Sequence, residues 1–144
     1  MPKRKPTIDS QKIFKMTIFS KIIAGQIPSY KIAENEQFFA FLDIAPLQRG
    51  HTLVVPKIEI DKIFDVPDSY LANLLTFAKP IAHAIEQACN CNRVSVLTIG
   101  LEVPHAHLHL VPINRMEDML FSNKKLTLSE EDFKDIQASI LGYL

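Results

Sequence analysis

The chain has 144 residues, of which 47% are hydrophobic and 22% charged, so we expect one domain that buries about two thirds of its unfolded surface. Its 16 basic and 16 acidic residues give a formal net charge of zero, which argues against a protein that grips long nucleic acid. The apolar runs are too short for a membrane span, and we expect a cytoplasmic protein whose two cysteines, Cys89 and Cys91, stay reduced.

The N-terminal part of the chain divides into a basic segment and a folded unit. Residues 1–15 contain five basic side chains and two prolines with little apolar periodicity, and we expect a mobile extension. The folded unit then covers residues 16–144. It opens with apolar residues at helical spacing up to Gly25, which predicts a short helix.

Three strand-like runs follow this helix, and their spacing is typical of an antiparallel meander. They cover residues 30–33, 38–42 and 52–56. The middle run, FFAFL, does not alternate between apolar and polar residues. We therefore expect it to be covered on both faces or to lie at an interface.

The second half of the folded unit combines helices and strands. Asp68 and Ser69 offer an N-cap for a long helix that carries one apolar stripe as far as Cys89, with a kink expected near Pro80. Two strands are predicted at residues 94–99 and 103–112. Ser129 and the three acidic residues after it predict the start of a C-terminal helix.

Three of the five histidines lie at two-residue spacing in PHAHLHLVP, where His105, His107 and His109 alternate with apolar residues. Alternate side chains of a strand point to the same face, so this pattern predicts a row of three imidazoles. Such a row can supply three ligands to a catalytic metal, or it can attack and hold a phosphoryl group. Neighbouring same-face residues are about 6.6 to 6.8 Å apart along a strand, which favours an extended phosphate chain over a single ion.

The motif HAHLHLV resembles the signature of the histidine triad (HIT) family. The segment IFSKIIAGQIPSYKIAENEQFFAFLDIAPLQRGHTLVVPK is also similar to the N-terminal half of that family, particularly to its purine-nucleoside phosphoramidase (HINT-like) branch. The resemblance implies a small α+β domain with an antiparallel sheet of about five strands and two main helices. It also implies a homodimer with one continuous sheet, for which the long helix and the FFAFL run are the candidate interface.

The same resemblance assigns roles to four histidines. His107 would be the nucleophile, and His105 and His109 would hold phosphate oxygens and position it. His51, which precedes the strand TLVVP, would be the fourth histidine near the phosphate. Either His105 or His109 would have to protonate an amine leaving group, and the sequence leaves that choice open.

A nucleotide site is implied as well. Asp43 would accept hydrogen bonds from the ribose hydroxyls. The walls of the base and sugar slot would be Ile18, Phe19, Ile22, Phe41, Ile44 and Leu53. For these apolar residues, ordinary core packing is the alternative explanation.

The loop ahead of the triad departs from the branch pattern. Thr98 stands where Asn is usual, and Glu102 occupies roughly the position of a hydroxyl residue in a shorter loop, which makes the leaving group uncertain. Some relatives hold structural zinc with cysteines near the first helix. This chain has Ser20 there and no CxxC motif, so we expect neither a metal nor another cofactor.

The sequence thus predicts an enzyme that cleaves nucleoside 5′-monophosphate conjugates, either phosphoramidates or dinucleoside polyphosphates, through a nucleotidyl-histidine intermediate. The expected partners are a purine nucleotide or its conjugate and a second copy of the chain, with neither long nucleic acid nor a membrane. Two alternatives remain: a nucleotide-binding regulator with little turnover, and a metalloprotein that uses His105, His107 and His109.

Overall fold

The computed structural model describes residues 16–144, so the extension expected over residues 1–15 lies outside the described residues. These residues form one five-stranded antiparallel sheet in the order β1-β2-β3-β5-β4. The strands are β1 (Lys31–Glu34), β2 (Phe38–Leu42), β3 (Thr52–Pro56), β4 (Arg93–Leu97) and β5 (Leu108–Ile113). Helices accompany the sheet, which gives the α+β class that the sequence predicts.

Three α-helices and two short 3₁₀ turns complete the described part of the chain. The helices are α1 (Ile18–Ile23), α2 (Asp68–Cys89) and α3 (Glu130–Leu141), and the turns are Ile63–Asp65 and Met116–Met119. Within residues 16–144, none of these helices has both the length and the apolar character needed to cross a bilayer.

The two longer helices cover one face of the sheet. The core between them and the sheet includes Phe38, Ala40 and Leu42 of β2 and Leu108 and Leu110 of β5. The helices contribute Leu74, Ala78, Ile81, Ala84 and Ile85 from α2 and Phe133, Ile136 and Ile140 from α3.

The short helix α1 covers part of the opposite face. Its Phe19 and Ile22 pack against Phe39 and Phe41 of β2 and against β3. All five residues of FFAFL are therefore buried within a single chain, with alternate side chains in the two cores. The expectation that this run is covered on both faces is confirmed. Because its side chains are buried, the FFAFL run offers no exposed surface for the predicted dimer interface.

The structure corrects the predicted start of the histidine strand. Strand β5 begins at Leu108 rather than at residue 103, so His105 and His107 lie in the segment that leads into it. The backbone N–H of His105 donates to the carbonyl oxygen of Val103, and the N–H of Ala106 donates to the carbonyl oxygen of Ile60. Neither N–H therefore bonds to a neighbouring strand of the sheet. Pro104 has no N–H to offer to a neighbouring strand.

Helix boundaries agree with the sequence at one helix and differ at the other. Ser129 caps α3, and its hydroxyl accepts a hydrogen bond from the backbone of Asp132, as predicted. Helix α2 is preceded by Pro67 at the N-cap position, and Asp68 is already helical. Both residues predicted for the cap, Asp68 and Ser69, thus lie inside the helix, which continues through Pro80.

Candidate active site

A cleft of about 360 Å³ opens on the face of the sheet that carries α1. His107 and His109 line it together with Asp43 and Glu102, and Phe19 of α1 forms part of its apolar wall. The rings of Phe19 and His107 meet edge to face with their centroids 5.0 Å apart. The cleft thus combines an apolar wall with a set of titratable groups, which is a usual composition for a ligand site.

The tautomer of His107 follows from its backbone partner. Its Nδ1 lies 2.7 Å from the carbonyl oxygen of His105. A carbonyl oxygen can only accept, so Nδ1 carries the proton and the Nε2 of the neutral ring has a free lone pair. His107 also lines the cleft. A neutral imidazole with a free lone pair at a cleft meets the requirement for a nucleophile.

His51 and His109 form a hydrogen-bonded pair whose polarity is also fixed by the backbone. The N–H of Leu47 donates to Nδ1 of His51 over 3.0 Å, so the proton of neutral His51 is on Nε2. That Nε2–H lies 2.9 Å from Nδ1 of His109 and donates to it. The proton of neutral His109 is therefore on Nε2, so His109 enters the site as a hydrogen-bond donor.

Both ring nitrogens of His105 are bonded to protein atoms. Nε2 donates to the carbonyl oxygen of Pro56 over 2.8 Å, and Nδ1 accepts from the hydroxyl of Thr17 at the same distance. His105 is completely buried. Its ring thus links the start of α1 to the end of β3, and it has no free nitrogen to offer to a ligand.

Burial keeps the four histidines neutral. It lowers the pKa of His51 to about 3 and that of His109 to about 4, with a smaller effect from the neighbouring imidazoles. Burial also lowers the pKa of His105 and His107, although the backbone hydrogen bond of each ring opposes this shift. At neutral pH the site therefore contains uncharged imidazoles, as nucleophilic attack by His107 requires.

The turn between β2 and β3 places Asp43 beside His51. Asp43 Oδ1 accepts a hydrogen bond from the N–H of Ala45, and Oδ2 lies 3.6 Å from Nε2 of His51. Burial raises the pKa of the Asp43 carboxyl.

Gly50 has a φ of +98°, and a Cβ there would be only 2.5 Å from Sγ of Cys89. Glycine is therefore required directly before His51.

Comparison with known proteins identifies the family. The sequence model of the HIT domain matches residues 24–116, which is more than half of the chain. The chain belongs to the HIT family.

One similar relative is the adenosine 5′-monophosphoramidase HNT1 of Saccharomyces cerevisiae. It is 40% identical over 96 residues, which cover 66% of this HIT chain and 61% of the yeast protein. The chain thus spans less than two thirds of that relative.

Two solved structures share the fold. A histidine triad nucleotide-binding protein from Sulfolobus tokodaii, described as hypothetical, is 26% identical with a TM-score of 0.77, over 87% of this chain and 89% of that one. A zinc-bound histidine triad protein from Mycobacterium smegmatis is 30% identical with a TM-score of 0.71, over 87% and 93% of the two chains.

The residues at the first helix of this HIT domain do not suit a zinc ion held by cysteines. The side chains there are the hydroxyls of Thr17 and Ser20, which bond to His105 and to the carboxylate of Glu59. Zinc in structural sites prefers thiolate and imidazole ligands, and these hydroxyls are already engaged.

A different group of residues has the spacing of metal ligands. Among residues 16–144, Asp43, His51 and His109 place ligand atoms within 4.8 Å of one another. The two histidines already share a hydrogen bond with each other. The alternative metal site of three triad histidines has less support, because His105 has no free ring nitrogen.

The structure brings some of the predicted nucleotide residues to the cleft and places others elsewhere. The residues that line it are Ile18, Phe19, Asp43, Leu53 and Glu102. Ile22 and Phe41 lie behind the wall in the core under α1. Ile44 is 71% exposed, and Thr98 is half-buried, and neither lines the cleft.

Other lining residues were not assigned from the sequence. They are Ile99, Gly100, Leu101, Val103 and Phe121. The first four belong to the loop that contains Glu102, so its departure from the branch pattern already pointed to that loop. Phe121 lies in an irregular segment after β5, where no periodicity marks it.

Proposed function

We propose that this HIT protein hydrolyses purine nucleoside 5′-monophosphate conjugates, with His107 as the nucleophile. The observation that carries the proposal is the hydrogen bond from Nδ1 of His107 to the carbonyl of His105, because it leaves the Nε2 lone pair available at the cleft. The name of the yeast relative, an adenosine 5′-monophosphoramidase, supports this class of substrate.

The proposed reaction has two steps. Nε2 of His107 attacks the α-phosphorus, and the bond from phosphorus to the leaving nitrogen or oxygen breaks with its electron pair. Water then attacks the nucleotidyl-imidazole, the bond from phosphorus to Nε2 breaks, and the nucleoside monophosphate is released with one proton. Covalent catalysis divides one difficult displacement into two easier ones.

An amine leaving group must take up a proton as its bond to phosphorus breaks. Among residues 16–144, the Nε2–H of His109 has no hydrogen-bond partner, whereas both nitrogens of His105 are engaged. A neutral imidazole is too weak an acid to give up its N–H, so the proton for the amine comes from solvent, and we assign to His109 the hydrogen bond that its Nε2–H donates to the phosphoryl group. His105 becomes a positioning residue whose carbonyl orients His107, and His51 fixes the tautomer of His109.

The remaining cleft residues suit the nucleotide and its leaving group. Ile18, Phe19 and Leu53 offer an apolar slot for the base, and Asp43 can accept hydrogen bonds from the ribose. Glu102 adds a negative charge to the same cleft. We expect this charge to favour amine leaving groups over polyphosphates, because like charges repel.

The test is turnover of adenosine 5′-phosphoramidate by wild type and by His107→Gly. We expect kcat/KM to fall at least about a hundredfold, because the nucleophile is lost. The matched control is His83→Ala, at an exposed histidine of α2, which should retain wild-type activity.

The same samples are quenched and analysed by mass spectrometry for a nucleotidyl adduct. Wild type should give an acid-labile adduct that His107→Gly does not form. Equal turnover in the two proteins would refute His107 as the nucleophile, and tight AMP binding without turnover would favour the nucleotide-binding regulator.

We also propose a homodimer that extends the sheet through β4. This strand is at one edge of the sheet and has no fully buried residue, with Val96 48% and the nearby Leu101 89% exposed. An exposed edge with apolar side chains is suited to pairing with a second copy.

A further inference from the structure

The segment after β5 returns to the active site and covers His109 and His51. The ring of Phe121 meets that of His109 edge to face at 4.9 Å and that of His51 at 6.3 Å. Phe121 also lines the cleft. Shortly after it, the N–H of Leu126 donates to the carbonyl of Pro46, which attaches the segment to the turn between β2 and β3.

Phe121 supports the ammonium group of Lys125. Nζ of Lys125 lies 4.7 Å from the centroid of the Phe121 ring and donates to the Phe121 carbonyl over 3.2 Å. The cation–π contact and this hydrogen bond hold the half-buried lysine against Phe121, which lines the cleft. One of its three N–H donors is used, and no carboxylate among residues 16–144 forms an ion pair with it.

Within residues 16–144, the cleft has no positive charge among its lining residues to balance a bound phosphoryl group. The four histidines are neutral, and Asp43 and Glu102 line the cleft, whereas a nucleotide conjugate carries a negative phosphoryl group. The positive charge of Lys125 acts on this region, since it adds to the lowering of the pKa of His51 and His109 by burial and opposes the rise in the pKa of Asp43. Among the described residues, no other lysine or arginine contributes to the pKa shifts of these three groups.

We propose that Lys125, supported by Phe121, is a substrate-binding residue that pairs with the negatively charged α-phosphoryl group beside His109. This inference rests on the proposed function, because it names a further residue for the same nucleotide. Lys125 supplies the positive charge that the neutral triad lacks. His109 donates a hydrogen bond to the phosphoryl group, and Lys125 balances its charge.

The test compares AMP with adenosine, which lacks the phosphate. Binding of each ligand is measured by calorimetry for wild type, Lys125→Met and Lys125→Arg. We expect Lys125→Met to weaken AMP binding by about tenfold, the loss typical of one charge-assisted contact, and to leave adenosine binding within about twofold. Lys125→Arg should retain most of the AMP affinity.

The matched control is Lys124→Met, which removes the same charge at the adjacent exposed position. It should bind AMP as wild type does, and kcat/KM for adenosine 5′-phosphoramidate should follow the same order among the variants.

Two results would overturn the role of Lys125 while leaving the proposed function intact: unchanged AMP affinity in Lys125→Met, or an equal loss for AMP and adenosine. A wild-type protein that binds neither AMP nor a phosphoramidate would overturn both proposals.

Discussion

At the scale of single residues, the backbone decides what each histidine can do. The Leu47 N–H makes His51 a donor toward His109, and the His105 carbonyl makes His107 a donor at Nδ1. Each ring therefore has a tautomer that a backbone group sets. This arrangement lowers the stability of the fold at acidic pH, because the buried rings bind protons less readily in the folded chain than in the unfolded chain.

The pH dependence of stability tests this arrangement. Burial lowers the pKa of His51 to about 3 and of His109 to about 4, from an ordinary value of 6.5. Between pH 6.5 and pH 4 the unfolded chain binds protons at these rings that the folded chain does not bind. The free energy of unfolding therefore decreases as the pH falls.

We expect wild type to lose roughly 2 to 4 kcal/mol between pH 7 and pH 5, since one pKa unit corresponds to about 1.4 kcal/mol. Urea unfolding at a series of pH values measures this loss. In His109→Gln the loss should be clearly smaller, because one of the two rings no longer titrates. An identical pH dependence in the two proteins would contradict a lowered pKa of His109 in the folded chain.

At the scale of elements, helix α1 is attached to the triad by hydrogen bonds as well as by packing. The Thr17 hydroxyl accepts from the N–H of Ser20, which caps the helix, and donates to Nδ1 of His105. The carboxylate of Glu59 accepts from the Thr17 N–H and the Ser20 hydroxyl. Burial alone would raise the pKa of Glu59, but these hydrogen bonds lower it overall. The helix that carries Phe19 is thereby fixed over the cleft.

Thr17→Val tests this attachment, because it keeps the shape of the side chain but removes the hydroxyl. We expect a loss of about 1–2 kcal/mol in unfolding free energy, from the missing cap and from the buried ring nitrogen left without a donor. KM for a phosphoramidate should rise more than kcat falls, since α1 forms part of the wall of the cleft that we propose for the base. Thr17→Ser should remain close to wild type in both respects, and equal effects of the two substitutions would argue against the hydroxyl.

At the scale of the whole molecule, both faces of the sheet are partly covered, and β1 and β4 are its edge strands. Helices α2 and α3 cover one face, and α1 and the cleft occupy the other. Strand β4 remains exposed at an edge next to the loop that lines the cleft. Pairing through β4 would therefore place a second copy near that loop.

Light scattering after size exclusion tests the proposed dimer. We expect twice the chain mass of 16.3 kDa for wild type and a shift toward monomer for Val96→Lys, because a charge would be buried at the paired edge. Leu75→Lys serves as the control, since Leu75 is 62% exposed on α2, away from this edge. If Leu75→Lys dissociates the dimer instead, the interface lies on the long helix.

Much of the architecture could be predicted because it depends on local patterns. Short apolar runs predicted the strands, helical periodicity predicted the two longer helices, and Ser129 marked the start of α3. The strand before Leu108 was extended too far, because a period-two pattern does not tell whether the backbone N–H groups find a neighbouring strand. Ala106 bonds to Ile60 instead, which is a contact between distant parts of the chain.

By itself, the sequence determined the family, the fold class and the histidines as candidate site residues, because those depend on residue type and spacing. Only the tertiary structure decided which ring nitrogens are free, since Pro56, Thr17 and Leu47 meet the histidines through folding. It also placed Phe121 beside His109 and Lys125 over the Phe121 ring. Hydrogen bonding and charge balance depend on distances across the fold, which a linear pattern does not contain.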